Sequence, residues 1–377
     1  MRQIKIIAGI LLGALLLNVV VFYIFTVNGY DAIYNLAKKY SSEDIDIYDD
    51  DFSEYDNISV MLKNNAIFCV SEHAGVKVNY DILRNNIVFF QKNYNMKYLV
   101  TDLSYTEALW INQYLTEDDP AESLRDILAS EELLNLFLDI KGINDKLNDK
   151  TKIEIIGINS EKSADIPAAY IDYLFRQFAD KRKPAVISEA VNFDEEHEIQ
   201  YFQNMYNSLL SNERLYREYF VDKYFPFYMV LRNYIKSAEN ADKNLICLNN
   251  FVDIFNSNIR AKYYIQLPEE LALYENLSVE YPKIADEIFY MTLFYDNCDS
   301  VYDNEFYQYP FGLAEDDTPR NFVLNNKVFK YFEHYRRFVH EINNKPCESY
   351  DTELGDEYFI FANSPPVTLM EAPDDNN

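Results

Sequence analysis

The chain has 377 residues, 49% of them apolar, with 62 acidic against 34 basic side chains and a net charge of −28. That length carries one large domain or two small ones around a sizeable core. The charge excludes a binder of nucleic-acid backbones, which needs clustered lysine and arginine.

The amino terminus reads first. Ile6 to Val27 contains no charged side chain, and as a helix it would span about 33 Å, the thickness of a bilayer's hydrocarbon core. Arg2 and Lys5 precede it and Asp31 is the first acid after it. The positive-inside rule then places the amino terminus in the cytoplasm and the remainder in the periplasm or outside the cell. No small-x-small cleavage site follows, so residues 1–28 read as a transmembrane signal anchor, with the membrane as a partner. Residues 29–57 carry Glu43, Asp44, Asp46, Asp49, Asp50, Asp51, Glu54 and Asp56. The run from Glu43 to Asp56 lacks the glycine and ligand spacing of an EF-hand, and the segment reads as a solvated acidic stalk.

A folded domain is expected over 58–364. Ala66–Ser71 is an apolar run of strand type, and Val76–Asn93 has helical spacing. Lys97–Leu103 is a second strand. Ser104-Tyr105-Thr106-Glu107 is a capping box, so a helix starts there at once. Asp118-Asp119-Pro120 breaks it, and another helix is expected from Ala121 to Ile140. Lys152–Ile158 is a third strand, followed by a helix over 164–181. Strand–helix alternation predicts an α/β fold with a mostly parallel or mixed central sheet and helices on both faces.

No glycine occurs between Gly157 and Gly312. Glu195–Lys223, Pro226–Glu239 and Asp242–Asn256 read as a helical insertion of about 194–258, with Pro226 breaking or kinking the first pair. Lys262–Leu267 and Glu287–Tyr295 are strand-like, Tyr302–Pro319 is a polar aromatic loop, Asn325–Asn343 is helical and Glu357–Ala362 is a last strand. From residue 365 the tail is loose. Cys69, Cys247, Cys298 and Cys347 fit no zinc pattern and read as small buried hydrophobes, although the location permits disulfides. The 33 tyrosines and 26 phenylalanines read mainly as core, with an aromatic ligand groove as the alternative.

In parallel sheets, sites form beyond the carboxyl ends of the strands. Those ends carry Glu72 and His73, then Asp102, then Asn159, and a shared crevice is expected. A turn or near-cap role for Asp102 and Asn159 is the plainer alternative. His334 and His340 are six residues apart, on different helix faces, which does not suit a metal site. No metal and no cofactor is expected, and no nucleic-acid partner.

With these residues in place, the chain resembles the erythromycin-esterase-like group of the ChaN/Tiki superfamily. That group has a strand ending in Gly-Glu-x-His-Gly, and Ser71-Glu72-His73-Ala74-Gly75 stands there. Its second strand ends in an acid before an alanine-bearing helix, like Asp102 in YLVTDLSYTEAL. Its third ends in Gly-x-Asp, where this chain has Gly157-Ile158-Asn159. Lys243-Asn244, Asn250-Phe251, the strand AKYYIQLPEEL and Asn363-Ser364-Pro365 are similar to later motifs. The resemblance implies a mixed α/β core and ester hydrolysis with histidine and glutamate as base and water-positioner; some relatives bind haem or metal. It implies Glu72 as a catalytic residue if the protein is active, with His73 and Asp102 at the strand ends as its candidate helpers, and Ser71, Asn159, Lys243, Asn250 and Gln266 as pocket lining.

The departures bear on activity. Ala74 and Leu271 occupy the two histidine positions and Asn159 the aspartate position. Alanine and leucine cannot act as a general base, and His73 lies one residue off, where a strand would point it to the other face. The expectation is an anchored, catalytically impaired domain that acts in binding, with an unknown small molecule or protein as ligand, or in a structural role. The alternative is a divergent ester hydrolase using Glu72 with His73 and Asp102.

Overall fold

The structure is a computed structural model that describes residues 65–117, 124, 125, 127–189, 198–302, 320–325, 357–362 and 364–370. The expected anchor, the acidic stalk, nearly all of the loop before Pro319, the helix bearing His334 and His340, and Cys347 lie outside the described residues.

In chain order the elements are β1 (Ile67–Glu72), α1 (Val78–Tyr94), β2 (Tyr98–Ser104), α2 (Tyr105–Thr116), α3 (Glu131–Asn144), β3 (Glu154–Asn159), α4 (Asp165–Gln177) and α5 (Ala185–Glu189). A helical stretch follows: α6 (Glu198–Ser211), α7 (Glu213–Phe220), α8 (Tyr224–Ala238) and α9 (Lys243–Ser257). Then come β4 (Tyr263–Pro268), α10 (Leu273–Glu280), α11 (Pro282–Ala285), β5 (Ile288–Asp296), β6 (Arg320–Asn325) and β7 (Glu357–Ala362). The chain is α/β. Among the described residues no helix is long and apolar enough to cross a membrane.

Two compact units interleave in sequence. The larger holds the described parts of Lys63–Ser71, Ile82–Phe289 and Thr368–Asn377, and the smaller those of Glu72–Asp81 and Tyr290–Val367.

In the larger unit the strands lie in the order β3-β2-β4-β1. β2 runs parallel to both neighbours, with Tyr98 opposite Glu154 on β3 and Tyr263 on β4. Every residue of β4 from Tyr263 to Leu267 is buried, as expected of a strand covered on both faces. Phe68 on β1 stacks on Phe90 of α1 at 4.2 Å between ring centroids, and both are fully buried. Burial of such a ring is worth about 1.5–3 kcal/mol. A second aromatic core joins the helices: Phe220 stacks on Phe227 at 4.3 Å and Phe202 meets Tyr234 at 4.0 Å.

The capping box at α2 forms in full: Ser104 Oγ accepts from Glu107 N–H at 3.2 Å and Glu107 Oε2 accepts from Ser104 N–H at 2.7 Å. Ser130 caps α3 and Asp242 caps α9 through their side chains. Gly157 lies where β2 shifts register against β3. A Cβ there would stand 2.0 Å from the carbonyl oxygen of Ser104, so only glycine lets the two backbones meet.

Three expectations need correction. The helix expected from Ala121 begins instead at Glu131, because Ser130, not the proline segment, supplies the side-chain cap. The helix expected over Glu195–Lys223 is two helices followed by a 3-10 turn at Val221–Lys223. Pro226 does not break that pair; it sits in the first turn of α8, where its missing N–H has no intrahelical partner to lose. The chain turns at Val221, a non-glycine residue with φ +53°. Strand β6, unexpected from the sequence, is defined by its pairing with β7.

In the smaller unit the strands lie in the order β5-β7-β6. β5 and β7 are parallel from Met291 opposite Glu357 to Asp296 opposite Ala362, and β6 is antiparallel to β7. Gly75 takes φ +86°, and a Cβ on it would meet Ser300 Oγ at 2.7 Å and Tyr302 Cδ2 at 2.8 Å. Its carbonyl accepts from Val301 N–H at 3.2 Å and Val367 N–H at 3.0 Å.

Candidate functional site

At the carboxyl ends of β2 and β3, the larger unit gathers ionisable groups. Asp102 is exposed to solvent yet crowded by surrounding protein. This crowding pushes its carboxyl above the usual carboxylate range, Lys162 opposes the push and Glu107 adds to it. Water reaches the carboxylate, so the push is weaker than in a sealed site. Glu107 is buried and receives Lys162 Nζ at 3.1 Å on the oxygen not used in the capping box. Cys247 on α9 is buried, with its thiol 3.9 Å from Asn159 Oδ1. Burial first, and Asp102 next, hold that thiol up at about 12. A thiol so protonated is no nucleophile at neutral pH.

Asn159 is bound into local structure. Its Oδ1 accepts from its neighbour's Ser160 N–H at 2.7 Å, and its carbonyl accepts from Asn233 Nδ2 at 3.0 Å. Asn250 donates to Ile158 O at 2.9 Å and to Asn233 Oδ1 at 2.8 Å, and receives Arg232 Nη2 at 2.8 Å. Arg232 also pairs with Asp253. Two helices thus hold the end of β3 through side-chain amides. Beside them Glu161 accepts from Thr106 N–H at 3.1 Å, Thr106 Oγ1 at 2.8 Å and Asn233 Nδ2 at 3.1 Å. Burial pushes Glu161 up, against those hydrogen bonds. Lys243 is exposed at the first position of α9, one helical turn before Cys247, whose thiol it draws down. Ser71 is half-buried on β1. Gln266 is buried on β4 and its Oε1 accepts from the Tyr264 hydroxyl at 2.9 Å.

The smaller unit holds Glu72 and His73, both half-buried. The peptide of His73 is fixed on both sides: its N–H donates to the Tyr295 hydroxyl at 3.0 Å and its carbonyl accepts from Asn79 Nδ2 at 2.6 Å. Tyr295 closes the triangle by donating to Asn79 Oδ1 at 2.7 Å. Its ring lies edge-on to the imidazole at 6.5 Å.

Asp102, Asn159 and Lys243 of the expected set therefore share one cluster in the larger unit, with Asn250 supporting it from behind. Cys247, Glu107, Glu161 and Asn233 were not singled out as site residues. Glu107 was legible as a cap; the others carry no local motif. Cys69, Cys247 and Cys298 are free thiols and all buried, in keeping with their reading as small hydrophobes.

No protein-family model matches the chain. No curated protein matches it either. Solved structures do. A Bacillus cereus protein superposes with a TM-score of 0.62 at 11% identity, over 91% of this chain and 99% of that one. A succinoglycan biosynthesis protein gives 0.60 at 10% identity, over 90% and 98%. An erythromycin esterase, EreC in its open conformation, gives 0.56 at 8% identity, over 89% and 100%. The fold is that of an erythromycin esterase. At these identities the likeness concerns the backbone alone. Within the erythromycin-esterase fold, the Asp102 cluster stands where α/β sheets bind ligands, outside the carboxyl ends of parallel strands.

Proposed function

We propose that this chain is a membrane-anchored, extracytoplasmic domain of erythromycin-esterase fold whose ester hydrolysis is impaired and which acts by binding. The observation that carries the reading is the chemistry at the motif positions. Leu271, where the resemblance expects a histidine, is buried, and Ala74 replaces the other. Asn159, in place of an aspartate, spends its side chain on Ser160. None of the three can exchange a proton near neutral pH. The uncharged run Ile6–Val27 supports the anchor.

The test is ester turnover by the full chain in detergent, against acyl esters of graded chain length. Turnover is expected to stay at the uncatalysed background and to be the same in Glu72→Gln. Steady turnover that Glu72→Gln abolishes would establish the second reading instead, a divergent hydrolase using Glu72, His73 and Asp102. The upward push on the Asp102 carboxyl at the end of β2 is the observation that favours this second reading, since a raised carboxyl is the direction a general acid needs.

A further inference from the structure

A cavity of about 810 Å³ lies along β3 in the larger unit, lined by that strand from Glu154 to Gly157. It is separate from the carboxyl-end cluster: Asp102, Glu107, Asn159, Lys162 and Cys247 are all absent from its walls. Its volume falls in the range of small-molecule sites. The walls include four tyrosines, Tyr98, Tyr105, Tyr170 and Tyr173.

Two of these carry hydroxyls that are open to water and bond to no described side chain or backbone group. Tyr105 is 7% exposed and Tyr170 4%, yet neither hydroxyl hydrogen-bonds to a described residue. The hydroxyl of Tyr98, by contrast, accepts from Asn258 Nδ2 at 2.6 Å. Gln113, also in the lining, donates through Nε2 to Glu117 at 3.0 Å while its Oε1 is buried without a partner. That buried amide oxygen costs about 1–3 kcal/mol while unpaired. Burial pushes both phenols up, so each keeps its proton and can donate as well as accept.

The lining selects among ligands. An apolar molecule would leave the hydroxyls and the amide oxygen unsatisfied. An anion would face Glu117, Asp149, Glu154 and Asp222 against Lys152 and Lys223, with Lys152 already paired to Asp149 at 2.9 Å. A cation would want a buried carboxylate, and all four of those acids are exposed. A neutral ring bearing several hydroxyls fits each demand: its C–H faces lie on tyrosine rings, and its hydroxyls pair with groups that both donate and accept.

We propose that this cavity binds a neutral, hydroxyl-rich ligand, a short oligosaccharide, against the tyrosine faces and through the hydroxyls of Tyr105 and Tyr170. The site is independent of the binding role proposed above, and ester turnover does not enter its readout. The chain supplies its own reporter, because its single tryptophan, Trp110, lies edge-on to Tyr170 at 5.7 Å and against Tyr173 at 5.3 Å.

The experiment titrates the full chain with neutral hexasaccharides of β-glucan, α-glucan and mannan type, and with hexagalacturonic acid as the anionic comparator. Binding is read by Trp110 fluorescence and by calorimetry. At least one neutral chain is expected to bind saturably with Kd below about 1 mM. Tyr105→Phe/Tyr170→Phe, which keeps both rings, is expected to weaken that binding at least about tenfold, and the anion to bind no more than weakly. Three results would overturn the proposal: no saturable binding of any neutral chain up to about 10 mM, affinity unchanged in the double variant, or equal binding of the anion.

Discussion

Glu161 shows how a single buried group sets a pH dependence. It has 7% exposure and three donors around one oxygen, and burial still holds its carboxyl above the ordinary value. A carboxyl raised in the folded state favours folding when protonated. That contribution is complete below its unfolded value of about 4.3 and is lost as pH rises through the folded one. Glu161→Gln cannot titrate. Its stability relative to the wild type is therefore expected to rise as pH is taken from about 4 towards neutrality, read as the difference in thermal midpoints. A difference that stays constant across that range would mean that Glu161 carries no such linkage. Glycines tell the complementary story. Gly75 and Gly157 both stand in the motif positions of the resemblance, and both have a steric reason to be there: a left-handed φ in one, a 2.0 Å backbone approach in the other.

Among the elements, β3 has the most informative environment. It is the last strand in its order within the larger unit, and its outward backbone groups are met by side chains. Asn144 bonds both faces of the Ile153 peptide unit, accepting its N–H at 2.8 Å and donating to its carbonyl at 2.9 Å. Asn112 does the same for Ile155, at 2.7 Å each way. Asn233 takes the carbonyl of Asn159. Ile153 and Ile155 stand two residues apart, as the two-residue period of a strand requires, and the amides of Asn144 and Asn112 mimic a neighbouring strand there. Such capping blunts an edge that would otherwise recruit another chain. Asn112→Leu, near in size and without hydrogen-bonding groups, is expected to cost about 1–3 kcal/mol, measured by urea unfolding, and to promote association seen in light scattering. Unchanged stability would mean that water replaces the amide at no cost. These asparagines were invisible to sequence reasoning, because an asparagine in a helix carries no sign of which distant strand it will serve. The helix starts, by contrast, were legible where a cap is local: Ser104 with Glu107, and Asp242. The start of α3 is set by the Ser130 cap and not by the break at Pro120, and Pro226 is ambiguous in the sequence because a proline ends one helix and begins another by the same missing N–H.

At the scale of the whole molecule, the sequence runs back and forth between two units, so that ten residues, Glu72–Asp81, belong with a segment more than 200 positions away. The proposed anchor acts at this scale as well. Deletion of residues 1–28 is expected to move the chain from the membrane to the soluble fraction after cell lysis, measured by sedimentation and immunodetection. Retention in the membrane without those residues would contradict the anchor.

The sequence by itself determined the α/β class, the positions of β1 to β5 and β7 to within two residues, and the cap at Ser104. These follow from local periodicity, from caps formed by neighbours, and from strand order. Only the tertiary structure decided that Cys247 stands beside Asn159, that Asn112, Asn144 and Asn233 close the edge of β3, that β6 exists at all, and that a tyrosine-walled cavity lies along β3. Each of these depends on residues tens of positions apart being brought within hydrogen-bonding or packing distance. Local pattern does not encode that proximity; chain crossover and burial create it.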